Sequence, residues 1–138
     1  MDDIHQVRRS FARCTIKGDI VGRFYEIFLD SHPAIKPMFA NTDLENQKKL
    51  LHHGINLTIM FAEGSPVGQG GIDRISQSHC RARMNINPDL YPHWKSSLLK
   101  AISEFDPEFN DTLRAIWDRV LQKSIDHISA SYEKEVTV

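Results

Sequence analysis

No stretch of this 138-residue chain approaches the roughly 18 consecutive apolar residues that a membrane-spanning helix requires. Cysteine is scarce. Cys14 and Cys80 form no Cys-x-x-Cys pair and are too few for a disulfide framework. Neither sign of charge dominates: 17 basic residues meet 18 acidic ones, so the clustered basic excess of a nucleic-acid-binding surface is missing. Sustained period-two alternation is absent as well, which argues against strands. The opening MDDIHQVRRSFARC is charged and carries no apolar segment of a secretory signal. These absences predict one soluble domain over residues 1–138 in a reducing, cytoplasmic setting, with no membrane and no nucleic-acid partner.

What is present is helical periodicity. Residues 4–16 place Ile4, Val7, Phe11 and Cys14 on one face, and Ile20, Phe24, Ile27 and Phe28 form a second stripe after Gly18. The proline-rich residues 33–39 suit a single tight turn. A long helix is expected from Leu44, with Gln47, Leu51, Gly54, Ile55, Thr58, Ile59 and Ala62 on its apolar or small face. Residues 64–71 hold four of the seven glycines plus Pro66, and read as a flexible connection without the Gly-Lys-Ser/Thr ending of a phosphate loop. Leu90, Trp94, Leu98, Ile102 and Phe105 mark another helix. Asp106-Pro107 reads as the N-cap and first turn of the last one, which carries Phe109, Leu113, Ile116, Trp117, Val120, Leu121, Ile125 and Ile128. The end of the chain, residues 133–138, is expected to fray. The class is all-α, with roughly six to eight helices.

Residues 71–94, GIDRISQSHCRARMNINPDLYPHW, carry the most informative pattern. Ile72, Ile75 and His79 fall on one helical face, and the chain leaves that helix through Met84, Ile86 and Asn87-Pro88. An imidazole closing an apolar helical face suits a metal or haem ligand. It equally suits a core histidine whose ring nitrogens are satisfied by backbone. Cys80 points about 100° away from His79 on a helix, so the two are not expected to share a metal.

Tyr25 after Phe24, HPAIKPMF at residues 32–39, Gln47 with Leu51, His79, NPDLYP at residues 87–92 and Trp117 occur in that order. Together they resemble a bacterial globin, most closely the haem domain of flavohaemoglobins and their single-domain relatives, over residues 11–132. The resemblance implies haem b with His79 as the proximal iron ligand. It implies Phe39 against the macrocycle and Tyr25 with Gln47 as the distal polar pair. Leu51 and Ile55 become their apolar neighbours, and Ile75, Met84 and Ile86 close the proximal side. Tyr91 and Trp94 complete the cofactor-binding set. A phenol and a carboxamide there would donate hydrogen bonds to a gas that gains negative charge on binding. The other histidines (His5, His32, His52, His53, His93 and His127) are expected at the surface, with His52 and His53 turned away from the iron.

The sequence departs from that pattern in four ways. It ends at Val138, so no flavin and nicotinamide reductase domain is expected and electrons would come from an external reductase. Tyr132 stands where the family's supporting glutamate lies, with adjacent Glu133 pointing elsewhere, which leaves Tyr91 as the expected polar neighbour of His79. The connections after Phe39 and after His79 differ by about two residues, shorter and longer respectively. Trp94 is unusually bulky for its place. The resemblance thus implies reversible binding of dioxygen, carbon monoxide or nitric oxide by a monomer or homodimer, for storage, delivery or transport of oxygen. A nitric oxide dioxygenase served by an outside reductase, a gas-sensor module, and a non-haem all-α interaction domain are the alternatives.

Overall fold

Polar caps and apolar stripes set the helix boundaries in the computed structural model, which describes residues 2–133. Helix α1 (Asp3–Lys17) starts at Asp2, whose carboxylate accepts from the His5 N–H, and buries Val7, Phe11 and Cys14. Asp19 caps α2 (Ile20–Leu29) through the Gly22 N–H. The four-residue α3 (Ile35–Met38) supplies the tight turn, and Asp43 opens α4 (Leu44–Glu63) by accepting from the Glu45 and Asn46 N–H groups. Each such cap contributes about 1 kcal/mol. After α5 (Pro66–His79), a 3₁₀ turn (Pro88–Leu90) runs straight into α6 (Tyr91–Phe105), and α7 (Asp111–Ala130) follows. The all-α class and the helix number agree with expectation: seven α-helices and no strand among the described residues. No helix of these residues is long and apolar enough to cross a membrane.

Two helices begin elsewhere than the sequence predicted. Residues 64–71 are not a flexible connection. Gly64, at φ 88°, closes α4, and α5 begins two residues later with Ser65 as N-cap and Pro66 in the first turn. Two of the three glycines inside α5, Gly68 and Gly71, serve close packing. A Cβ at Gly68 would lie 2.4 Å from the Phe61 amide nitrogen, and one at Gly71 would lie 2.6 Å from Leu57 Cδ2. Asp106, likewise, does not cap α7. Asn110 does, accepting from the Leu113 N–H at 2.8 Å, after a turn closed by the Phe109 N–H on the Asp106 carbonyl.

Helix α6 packs against α2 and α1, while α7 touches α1, α4, α5 and α6. The main core is built on fully buried Trp117, Phe24, Leu98, Ile102 and Leu121. A smaller cluster of Leu57, Phe61 and Ile72 sits where the α4–α5 hairpin closes, with Ile75 and Ile128 against it. Asp73 on α5 is 2.8 Å from His127 on α7 and accepts from Gln69, which ties α5 to the last helix. Of the end expected to fray, residues 134–138 lie outside the described residues.

Asp106 is buried for a different purpose. Its carboxylate accepts from Ser10 Oγ at 2.6 Å, from Arg13 Nε at 2.6 Å and Nη2 at 2.9 Å, and from the Glu108 N–H at 2.9 Å. Trp117 Nε1 donates to Ser10 Oγ at 2.9 Å, so α1, the α6–α7 corner and α7 meet in one network. Burial alone would push the Asp106 carboxyl up, but Arg13, Ser10 and the Glu108 amide together hold it below the ordinary range. Its stabilising contribution is therefore complete above the unfolded aspartate value and is lost as pH falls through the lower folded one. Asp106→Ala should cost about 3 kcal/mol, the low end for breaking a buried pair, because Arg13 keeps a solvent-facing side. Urea unfolding at pH 7 measures this. The gap between wild type and Asp106→Asn should narrow below about pH 4.

Candidate functional site

The α4–α5 hairpin organises the site. Its two-residue turn and the glycine contacts join the carboxyl end of α4 to the amino end of α5. Gln47 and Leu51 in the first turns of α4 and His79 in the last turn of α5 therefore lie toward the opposite, open end. At 1.5 Å rise per residue, the 16 steps from Gln47 to Glu63 and the 13 from Pro66 to His79 cover similar lengths, about 24 and 20 Å.

His79 is half-buried, and its ring is held from one side. Nδ1 lies 2.9 Å from Ser78 Oγ, and Ser78 Oγ donates to the Ile75 carbonyl at 2.9 Å. Because the Ser78 hydroxyl proton is taken by the Ile75 carbonyl, Nδ1 is the donor in its contact with Ser78 Oγ. This network assigns the proton to Nδ1 and leaves the Nε2 lone pair without a hydrogen-bond partner among the described residues. Burial holds the imidazole below its ordinary pKa against the opposing pull of the carbonyl, which favours the neutral, metal-ligating form. Of the two ring nitrogens, only Nδ1 is hydrogen-bonded within the described residues.

The loop after His79 folds back on the end of α5. Met84 N–H donates to the Ser78 carbonyl, Asn85 N–H to Cys80 and Ile86 N–H to His79, with Asn85 in the left-handed region at φ 53°. Ile86 is thereby held beside His79, whereas Met84 stands largely exposed on the same loop. Ile75 belongs to the cluster of Leu57, Phe61 and Ile72. Tyr91, expected as the polar neighbour of His79, is not hydrogen-bonded to it. It lies beside Tyr132, and burial with that neighbour pushes its phenol up to about 12. Tyr132 donates to Asn85 Oδ1, and Glu133 pairs with Arg81 at 3.2 Å, away from His79. Cys80 directs its thiol to the Gln77 carbonyl.

On the other side, Tyr25 is buried and Gln47 half-buried. Burial raises the Tyr25 phenol above its ordinary pKa, with a hydrogen bond from Gln47 pulling the other way. Tyr25, Gln47 and Phe39 are thus brought together, the Tyr25 and Phe39 rings meeting edge-on at 5.9 Å. Leu51 packs against the core, Ile55 is fully buried within it, and Trp94 meets Phe24 edge-on at 6.1 Å. His52 rests on Phe11 at 5.2 Å on the outer side of α4, and His53 is exposed. Ser78 was missed by sequence reasoning. A hydroxyl one residue before His79 on a helix was the available signal.

The donor set fits haem, whose iron would need one neutral imidazole from the protein, as His79 offers.

Comparison with known proteins identifies the fold and the family. The chain is 31% identical over 100 residues to an uncharacterised globin-like protein of Aquifex aeolicus, spanning 72% of this chain and 69% of that one. It is 34% identical, with a TM-score of 0.90 over 95% of this chain and 98% of the other, to a crystallised Pseudomonas aeruginosa PAO1 protein described as structurally highly homologous to a human hemoglobin. The globin family model matches residues 22–128. With most of its length matched and its fold shared nearly end to end, the chain belongs to the globin family, whose members typically bind haem and small gas ligands.

Proposed function

We propose that this chain is one globin domain over residues 1–138 that holds haem b through His79 Nε2 and binds dioxygen reversibly. The observation that carries the reading is the state of His79: held neutral by burial, with Nδ1 hydrogen-bonded to Ser78, and with Nε2 left to ligate. Haem iron held there supplies an open coordination position for a diatomic gas. The protein's own residues do the rest. Phe39, Leu51, Ile86 and Trp94 exclude water, and the Tyr25 hydroxyl and the Gln47 amide donate to a ligand that gains negative charge on binding.

Proximal support by a carbonyl and a hydroxyl, both neutral, favours storage or delivery of oxygen over nitric oxide conversion with an external reductase. A carboxylate in that place would push the imidazole toward imidazolate and strengthen its donation to iron. Ser78→Asp should therefore lower the iron reduction potential, on the order of tens of millivolts. Potentiometric titration measures it, and an unchanged potential would remove Ser78 from the account.

His79→Ala should retain hemin weakly and recover a bound spectrum when imidazole is supplied. Equal hemin uptake by His79→Ala and wild type would refute the proximal assignment, and a wild type that takes up no hemin would refute the haem reading altogether.

The distal pair generates a kinetic expectation. A hydrogen bond to a charged group contributes roughly 1.5–3 kcal/mol, so Tyr25→Phe should speed oxygen release about 10- to 100-fold. Gln47→Leu should do less, because a longer amide is less preorganised. The double variant should fall short of additivity, since both donors serve one ligand. Stopped-flow release of oxygen, with carbon monoxide as the weakly polar control, distinguishes lost hydrogen bonding from a merely widened pocket.

A further inference from the structure

Glycine weakens a helix interior relative to alanine, because it loses more backbone freedom on folding. Gly68 and Gly71 have a packing reason to be there, since a Cβ at either would overlap α4. Gly54, in the middle of α4, has none. A Cβ there meets nothing within 4 Å, and Gly54 is not among the residues with positive φ.

Its position is not on the solvated side. At 100° per residue, Gly54 lies about 20° from Gln47, about 40° from Thr58 and about 20° from Phe61 around the helix axis. Thr58 and Phe61 are buried and Gln47 is half-buried, as is Gly54; Leu50, about 40° away one turn back, is exposed toward the open end, and His52, Lys49 and Asn56 on the other side are exposed. The centre of the inward stripe of α4 thus carries open space where alanine would stabilise the helix and clash with nothing in the chain.

We propose that Gly54 sets the size of the cofactor slot: its missing side chain gives clearance to a flat macrocycle beside Gln47 and Leu51. This inference rests on the haem reading above. The helix gives up intrinsic stability at one position so that a large planar group fits against it. Side chains of increasing bulk at 54 should leave folding intact or improved and progressively weaken cofactor retention.

Two measurements test this on Gly54→Ala, Gly54→Val and Gly54→Leu, with Gly70→Ala as control. Gly70 lies within α5, and a Cβ there first meets the Arg74 guanidinium at an ordinary 3.6 Å. Thermal unfolding without added hemin should rise by about 3–5 °C for both alanine variants. Hemin transfer from the loaded proteins to an excess of a scavenging apoprotein should be about 10- to 100-fold faster for Gly54→Leu, intermediate for Gly54→Val, and unchanged for Gly70→Ala. If Gly54→Leu did not fold, Gly54→Val would carry the comparison. A folded Gly54→Leu that held hemin as long as wild type would overturn the role of Gly54 while leaving the haem reading standing. A wild type with no hemin uptake would overturn both.

Discussion

The approach of α4 to α5 at Gly68 and Gly71 is the constraint from which the site follows. Backbone and side-chain atoms of Met60, Phe61 and Leu57 occupy the space that two Cβ atoms would need. With those atoms absent, the hairpin closes on a two-residue turn, and the small cluster of Leu57, Phe61, Ile72 and Ile75 seals it. Everything further along the two helices is set from that point: Gln47 on one arm, His79 on the other. The His127–Asp73 contact then fixes the arm that carries His79 against α7.

Within that frame, each polar group at the site is restrained by a neutral partner. Ser78 and the Ile75 carbonyl fix the tautomer of His79 without adding charge, and the Gln47 amide meets the Tyr25 phenol. The charged interactions lie elsewhere. Asp106 with Arg13 and Ser10 locks α1 to the α6–α7 corner, and Arg23 with Glu104 and Arg8 with Glu63 bridge helices at the exposed surface. Exposed pairs of this kind contribute little, whereas the Asp106 network is buried and cannot lose a member cheaply.

Helix periodicity made most of the elements legible, because stripes such as Leu90, Trp94, Leu98, Ile102 and Phe105 can be read without knowing what covers them. The two displaced starts share one cause. Glycine in residues 64–71 and aspartate at 106 have strong local meanings, as breaker and as cap, but each is used here for a contact distant in sequence. Phe61 and Leu57 demand the glycines; Arg13 and Ser10 engage the aspartate. Tyr91 was mistaken for the polar partner of His79 for a related reason: side-chain direction at the start of α6 depends on how the loop at residues 80–87 folds back.

The sequence by itself determined the helical class, the order of Tyr25, Gln47 and His79 along the chain, and the absence of any competing metal-binding cluster of cysteines. Those are properties of residue type and spacing, which the chain carries before it folds. Tertiary structure alone decided which nitrogen of His79 is free, that Ser78 rather than Tyr91 supports it, and that Gly54 faces open space while Gly68 and Gly71 do not. Each of these depends on distances of a few ångströms between atoms of neighbouring turns or separate helices, and no pattern of residues along one helix encodes such a distance.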